Sequence, residues 1–217
     1  MKRSFGAIFM VLGLALLTGA LLLYLSNHKE EEQAELSVQE FMPQVVERIE
    51  LNVQALKQQV DMQESPSESV ESESQMPYEP DYYSTEMTVE TIDGYDFIGY
   101  LTIDKLDLQL PILAQSDDAK LKKSPCRFSG ATKTNDLVIG AHNYSRHFGR
   151  ITELKSGDII YLTDMDGRIW KYTYVTQEIL GPNDVDILTN AEYALTLFTC
   201  TYGGRSRITL RFDLVET

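Results

Sequence analysis

The chain has 217 residues, 43% of them hydrophobic, which is enough for one folded domain with additional segments. Its 33 acidic residues outnumber its 19 basic ones and give a formal net charge of −14. This balance argues against a nucleic-acid-binding protein, because neutralising phosphates requires clustered Lys and Arg. The two cysteines, Cys126 and Cys200, are too few for a disulfide-stapled small domain or a four-cysteine zinc site.

Residues 5–25 form an uncharged apolar run between a basic start and an acidic continuation. A helix of this length spans a hydrocarbon core of about 30 Å. Lys2 and Arg3 precede the run, and basic flanks stay cytoplasmic, so the remainder should lie outside the cell. A cleaved signal peptide is the competing interpretation, but its apolar region is normally only about 7–15 residues long. We therefore expect residues 1–26 to form a cytoplasmic tip and a single-pass anchor in the cell membrane.

Two acidic segments follow the anchor. Residues 27–62 are predicted to form an amphipathic stalk helix, because apolar residues recur at steps of three and four: Val38, Phe41, Val45, Ile49, Val53, Leu56 and Val60. Pro43 interrupts the stripe, so the regular helix is expected to begin there or to be kinked. The stripe indicates either a solvated stalk or self-association. Residues 63–88 are rich in Ser, Glu and Pro, which predicts a disordered spacer that holds the head away from the membrane.

Residues 89–217 have the length of a single domain and consist mainly of short β-type runs. These runs cover residues 97–103, 108–113, 136–141, 159–163, 170–175, 194–198 and 207–214. Turn signals separate them, and an Asp166-Gly167 pair marks the clearest hairpin. The pattern predicts an all-β sandwich or barrel with short helices at most.

Three residue types at predicted strand ends indicate thiol chemistry. Cys200 ends a β-rich run before Gly203-Gly204, His142 follows another run, and Arg205 and Arg207 come after the cysteine. A thiolate is the nucleophile, an imidazolium stabilises it and protonates the leaving amine, and a guanidinium can stabilise an oxyanion. Such a constellation predicts acyl transfer through a thioester, with no cofactor and no metal required.

The run Thr196-Leu197-Phe198-Thr199-Cys200 resembles the Thr-Leu-X-Thr-Cys signature of sortases, the membrane-anchored cysteine transpeptidases of Gram-positive bacteria. Residues 98–103, 110–112 and 138–143 resemble the same family, so the similarity extends over about residues 96–215. The resemblance implies an eight-stranded β-barrel. It also implies cleavage of a Leu-Pro-X-Thr-Gly-like sorting motif near the carboxyl end of secreted proteins. The acyl group would then pass to an amine of a peptidoglycan precursor or to a pilin lysine.

The resemblance also assigns roles to individual residues. Cys200 corresponds to the nucleophile, His142 to the acid/base, and Thr199 to a position that lines the substrate groove. Arg207 is favoured over Arg205 as the catalytic arginine because it opens an alternating strand, whereas Arg205 falls in the preceding turn and is retained as a substrate-binding candidate.

Several alternatives remain open at this stage. Water rather than an amine could resolve the thioester, which would make the protein a cysteine endopeptidase, and a non-enzymatic membrane-tethered surface module is a third hypothesis. Cys126 is expected to be a packed thiol, with a Cys126–Cys200 disulfide as the less favoured reading. His147 is expected to lie on the solvated surface. A zinc site at Cys200, His142 and Cys126 lacks the usual four ligands.

Overall fold

The structure, a computed structural model, describes residues 2–63, 86–190 and 192–215. It contains one long helix followed by a β domain with short helical turns. The helices are α1 (Lys2–Gln63), α2 (Asp118–Leu121) and α3 (Val185–Leu188). The strands are β1 (Glu90–Ile92), β2 (Tyr95–Ile103), β3 (Leu108–Leu113), β4 (Cys126–Ser129), β5 (Leu137–Gly140), β6 (Ile159–Asp164), β7 (Ile169–Leu180), β8 (Leu195–Cys200) and β9 (Arg207–Leu214).

Helix α1 runs without a break from Lys2 to Gln63, through both the predicted anchor and the predicted stalk. The expectation that the regular helix begins at Pro43 is therefore wrong, and Pro43 lies inside the helix. Its amino-terminal part is the only helix in the described ranges that is long and apolar enough to cross a membrane, and this part is not buried against the protein. A helix with apolar residues on all sides is typical of a membrane anchor.

The strands form one sheet in the order β1-β2-β3-β4-β5-β8-β9-β7-β6. Because β6 also pairs with β2, strands β2 to β9 close into an eight-stranded barrel, as predicted. Most neighbours are antiparallel, but β3 with β4 and β5 with β8 are parallel. The short strand β1 pairs with the first residues of β2 and adds a hairpin outside the closed barrel.

The barrel interior is filled by inward-facing residues of nearly every strand, among them Leu101, Ile139, Leu162, Leu197 and Leu210. Their alternation with outward-facing residues is the two-residue period of a β-strand. The Asp166-Gly167 hairpin forms between β6 and β7 as predicted, with Gly167 at φ 78°. The Asp164 carboxylate stabilises this turn by accepting hydrogen bonds from two backbone amides and from Trp170 Nε1.

The apolar stripe of α1 packs against the outside of the barrel. Phe41, Val45 and Ile49 are buried there, and the contact continues through barrel residues Ile92, Phe97, Leu113, Cys126 and Met165. We call this contact the helix seam. The rings of Phe41 and Phe97 meet edge to face at 5.3 Å, and Asn52 donates a hydrogen bond to the carbonyl oxygen of Met165.

The helix seam corrects the sequence-based view of the stalk. The stripe is neither solvated nor free for self-association along Phe41, Val45 and Ile49, because the barrel covers it. The predicted spacer, residues 63–88, lies mostly outside the described residues. The barrel itself docks directly onto the helix that contains the apolar segment.

Candidate active site

Three adjacent strands bring the predicted cysteine, histidine and arginine together. Strand β5 runs parallel to β8 with Gly140 opposite Phe198, and the amide of Ala141 donates to the Phe198 carbonyl at 3.1 Å. His142 and Cys200 therefore end neighbouring strands at the same edge of the barrel. Strand β9 runs antiparallel to β8 and places Arg207 directly opposite Cys200.

All three side chains belong to the outer face of the sheet. Ala141, Leu197 and Leu210 point into the barrel core. Side chains of a β-strand alternate between its two faces. His142 directly follows Ala141, and Cys200 and Arg207 are each three residues from an inward-pointing leucine. All three side chains are therefore directed outwards. We call this group the strand-end site.

Cys200 is exposed, and the turn that follows it is tight. The amide of Thr201 donates to the Ser206 carbonyl at 2.8 Å, and Gly203 and Gly204 take left-handed conformations at φ 87° and 70°. Such φ values favour glycine, which explains the Gly-Gly pair. The turn leaves the sulfur at an open edge, where a substrate carbonyl can approach.

Cys126 is also a free thiol, but it lies buried within the helix seam. Burial raises its pKa to about 12, and its thiol group lies 3.4 Å from the carbonyl of Ser124, with which it makes a hydrogen bond. Cys126 is thus a packed thiol, as expected, and the disulfide alternative is wrong because both cysteines are free.

His142 is half-buried at the start of the loop formed by residues 142–149, here called the His142 loop. Burial is the main cause that lowers the pKa of His142, and the charge of Lys122 lowers it further. Glu30 of α1 and Asp118 of α2 act in the opposite direction. The His142 ring packs against the Tyr144 ring in a tilted arrangement, with ring centres 4.9 Å apart and an angle of 34° between the planes.

Arg207 lies on the outer face with its guanidinium against the segment between β7 and α3. Nη1 donates to the Pro182 carbonyl at 2.5 Å and reaches the Gly181 carbonyl at 3.4 Å, while Cζ lies 5.8 Å from the centre of the Phe198 ring. Arg205 is exposed within the turn after Cys200. The strand register therefore places Arg207 rather than Arg205 beside the cysteine.

Two residues are not where the sequence suggested. The side chain of Thr199 is 2% exposed and its hydroxyl donates to the Ala141 carbonyl at 2.8 Å, so the prediction that this side chain lines a groove is wrong. It points inwards because it alternates with Cys200, and it links β8 to the residue before His142. His147 is fully buried rather than solvated, because its loop folds back under Tyr144.

An apolar surface adjoins the strand-end site. The Phe198 ring meets Phe128 edge to face at 5.5 Å and lies over the buried residues Val138, Leu180 and Leu188. Phe128 in turn lines an open cavity of about 480 Å³ formed with residues 114–116, 127, 129 and 130. This surface was not predicted from the sequence, although the outward position of Phe198, two residues before Cys200, follows from strand alternation.

The charged residue that shapes this surface is also one that sequence reasoning missed. Arg211 is fully buried on β9 and donates to the carbonyls of Ile187 and Leu188, to Thr196 Oγ1 and to the carboxylate of Glu178. It thereby fixes α3 beside the site. In the part of the chain that the structure describes, no group of three or more His, Cys, Asp or Glu side chains is arranged to hold a metal ion.

Comparison with known proteins identifies the family. The sequence model of the sortase domain matches residues 101–215, more than half of the chain. The chain belongs to the sortase family. This confirms both the resemblance and the barrel prediction.

Individual relatives agree with this. Sortase A of Listeria monocytogenes is 30% identical over 115 residues, which are 48% of this chain and 49% of that protein. Sortase A of Bacillus anthracis is 28% identical over 180 residues, 76% of this chain and 80% of that protein. The match thus spans about half the length of the Listeria relative. The solved structure of sortase A from Corynebacterium diphtheriae shares the fold, with a TM-score of 0.52 and 24% identity, over 57% of this chain and 62% of that one.

Proposed function

We propose that this sortase is a cysteine transpeptidase that cuts a carboxyl-terminal sorting motif of secreted proteins and transfers the acyl fragment to a cell-wall amine. The observation that carries the proposal is the strand-end site. Cys200, His142 and Arg207 end or begin three adjacent strands and share the outer face of the barrel. Family membership supports the reaction class.

The first half-reaction forms the thioester. Cys200 Sγ attacks the scissile carbonyl carbon after His142 has accepted the thiol proton. The C–S bond forms, the C–N bond to the next residue breaks, and the imidazolium returns the proton to the departing amine. Burial lowers the pKa of His142, so the neutral imidazole that accepts the proton is available near neutral pH.

The second half-reaction releases the acyl group. An acceptor amine attacks the thioester carbon, a new C–N bond forms, and the sulfur leaves as the thiolate. His142 takes the excess proton from the amine and passes it to the thiolate. In both steps the role of Arg207 is to hold the carbonyl oxygen, because a guanidinium donates hydrogen bonds but does not lose its proton. Arg207 must exchange its bond to the Pro182 carbonyl for one to the substrate.

The apolar outer face supports recognition of an extended peptide. Phe198 and Phe128 lie beside Cys200 along β8 and β4, and Val185 and Ile187 of α3 are partly exposed at the opposite border. A Leu-Pro-X-Thr-Gly-like motif offers apolar side chains to such a surface, with its threonine–glycine bond at the sulfur. An amine of a peptidoglycan precursor is the proposed acceptor.

The apolar start of α1 supports a single-pass protein of the cell membrane, with Lys2 and Arg3 inside and the barrel outside. Residues 1–26 are the proposed anchor, residues 27–62 the membrane-proximal helix and residues 89–217 the catalytic domain. Glu30 follows Leu25 by about 7–8 Å of helix rise, and it contacts the His142 loop through Tyr144. The active site therefore faces the membrane surface, where a membrane-held secreted substrate presents its sorting motif.

The test uses the full chain in detergent micelles with a library of sorting-motif peptides, with and without glycine-based or diaminopimelate-type amines. Mass spectrometry should find peptide fragments attached to Cys200 and, with an amine present, the transpeptidation product. Cys200→Ala should abolish both, whereas Cys126→Ser serves as the matched control and should retain them. Release of free acid alone in the presence of amines would indicate the cysteine endopeptidase. Full turnover by Cys200→Ala would refute thiol chemistry.

A further inference from the structure

Helix α1 continues from the apolar segment directly across the His142 loop, outside the helix seam. Three acidic residues of α1 contact three consecutive loop residues. Glu30 Oε2 accepts a hydrogen bond from the Tyr144 hydroxyl at 3.3 Å, Glu31 Oε1 accepts one from the Ser145 amide at 2.6 Å, and Glu35 pairs with Arg146 at 3.4 Å. The loop that carries the histidine is thus bound to the helix residue by residue.

Tyr144 connects this contact to the imidazole. Its ring packs on the His142 ring at 4.9 Å, while its hydroxyl is bound by Glu30. Burial and the neighbouring Glu30 carboxylate raise the pKa of Tyr144 to about 12, so the hydroxyl remains protonated and donates. The tyrosine ring therefore has one edge held by α1 and one face held against His142.

We propose that Glu30, acting through Tyr144, is a positioning residue for His142, so that the membrane-proximal helix is part of the active site. The proposal rests on the function proposed above, because it assigns a support to the acid/base of that reaction. Proteins keep catalytic geometry by fixing a catalytic side chain through packing and hydrogen bonds from neighbouring residues, and the half-buried Tyr144 ring supplies such packing here. In this proposal Glu30 does not contact the substrate. It fixes the position of the His142 imidazole and contributes a negative charge to its surroundings.

The charge environment of His142 gives Glu30 a second effect. Three other ionisable groups act on His142 by their charge, namely Asp118 of α2, Lys122 after α2 and His147 in the same loop. The strand register places Cys200, at the end of β8, and Arg207, at the start of β9, on the neighbouring strands. Glu30 opposes the lowering of the His142 pKa by burial and by Lys122, and it also pairs with Lys122 at 3.2 Å. Removing the Glu30 charge should lower the pKa of His142 further.

The variant Glu30→Gln removes the charge but keeps the size of the side chain. Glu32→Gln is its matched control, since Glu32 lies in the same helical turn, is exposed and makes the same change in net charge. Tyr144→Phe keeps the ring and removes the hydroxyl. All three are made in the full chain, and the double variant Glu30→Gln/Tyr144→Phe completes the cycle.

The first readout is the titration of His142 by NMR after histidine-specific isotope labelling. The chain has only three histidines, so few imidazole signals have to be assigned. Glu30→Gln is expected to move the His142 titration to lower pH, while Glu32→Gln leaves it in place. An unmoved His142 titration in Glu30→Gln would overturn the proposal.

The second readout is kcat/KM for transpeptidation across pH. Glu30→Gln is expected to reduce it by about threefold to tenfold, the range expected for one charge-assisted hydrogen bond near the surface. Tyr144→Phe should reduce it less, and the double variant should lose no more than Glu30→Gln alone. Equal losses in Glu30→Gln and Glu32→Gln, or fully additive losses in the double variant, would contradict positioning through Tyr144.

The two proposals fail in different ways. If Cys200→Ala retains turnover, the proposed function is wrong irrespective of Glu30. If Cys200→Ala is inactive and Glu30→Gln matches the parent chain in both readouts, the transpeptidase function stands and the role of α1 is refuted.

Discussion

The strand-end site and the helix seam are two regions on the outside of one barrel, and they differ in almost every physical respect. At the strand-end site Cys200 is exposed and the Arg207 guanidinium donates hydrogen bonds to two loop carbonyls. In the helix seam Phe41, Val45 and Ile49 are buried against apolar neighbours. The accessible thiol therefore lies where few side chains pack, whereas the closely packed apolar contact encloses a buried thiol.

Cysteine has opposite properties in the two regions. Cys200 ends a strand at an open edge, whereas Cys126 lies in the seam with a pKa that burial raises to about 12. A thiol that remains protonated is a small hydrophobic residue and not a nucleophile. If the two regions are functionally separate, substitutions in the seam should change the free energy of unfolding, and substitutions at the strand ends should change catalysis.

The largest stability effect is expected from Phe41→Ala. The Phe41 side chain is 3% exposed, and its ring contacts Phe97 and Tyr95, both at 5.3 Å. Truncating a buried phenylalanine typically lowers the free energy of unfolding by about 3–5 kcal/mol. Urea unfolding of the full chain, followed by the fluorescence of its single tryptophan, Trp170, measures the change.

Leu51→Ala is the matched control, because Leu51 lies on the same helix but is 53% exposed. It should cost less than about 0.5 kcal/mol, as is usual for surface substitutions. If Phe41→Ala is no more destabilising than Leu51→Ala, the helix seam does not stabilise the barrel, which would contradict the division between a stabilising seam and a reactive strand-end site.

The second effect depends on pH and comes from His147. Burial lowers its pKa to about 4, from about 6.5 in the unfolded chain. The folded state binds the proton of His147 less tightly than the unfolded chain does, so protonation favours unfolding. The free energy of unfolding therefore keeps its full value above pH 6.5 and decreases as pH falls from about 6.5 to about 4. The expected loss is about 3 kcal/mol.

His147→Phe keeps a buried aromatic ring and removes the group that titrates. Unfolding measured at pH 7, 5.5 and 4.5 should show a smaller acid-induced loss in this variant than in the parent chain. An identical pH dependence in both proteins would show that folding does not lower the pKa of His147.

The third effect is catalytic and concerns Arg207. If this guanidinium holds the substrate carbonyl, Arg207→Ala should reduce kcat/KM by about 100-fold, the scale of losing one oxyanion donor. The free energy of unfolding should change little, because Arg207 is partly exposed. Arg205→Ala, assayed in parallel, decides between the two arginines: a larger loss in Arg205→Ala than in Arg207→Ala would reverse the assignment.

The sequence predicted those features that depend on local pattern. The β-type runs correspond to seven of the barrel strands, and strand alternation together with the family resemblance predicted a shared edge for Cys200, His142 and Arg207. The strands β1 and β4 were missed, because three or four residues are too short to show a period. Propensity also favoured a helix boundary at Pro43, but tertiary packing of Phe41 and Val45 on the barrel offsets the proline.

The features that failed depend on contacts between distant parts of the chain. His147 was predicted to be solvated because its neighbours in the sequence are polar, and nothing local indicates that the loop folds under Tyr144. The apolar stripe of α1 was identified, but its partner was not, since a stripe predicts burial without naming the surface that buries it. The contacts of Glu30, Glu31 and Glu35 with the His142 loop also join distant parts of the chain, so the local sequence did not predict them.

The smallest effect is expected from Thr199, whose hydroxyl bonds the Ala141 carbonyl at 2.8 Å and so joins β8 to the residue before His142. Thr199→Val keeps the shape but leaves this buried carbonyl without its partner, which should lower the free energy of unfolding by about 1 kcal/mol. Thr199→Ser is the control, because it keeps the hydroxyl. Because the bond holds the histidine strand against the cysteine strand, kcat/KM should also fall, by about threefold on the scale of a partly lost hydrogen bond. If Thr199→Val loses stability but not activity, Thr199 has a purely structural role, like the residues of the helix seam. If it loses both, the hydrogen bond of Thr199 links packing inside the barrel to the geometry of the strand-end site.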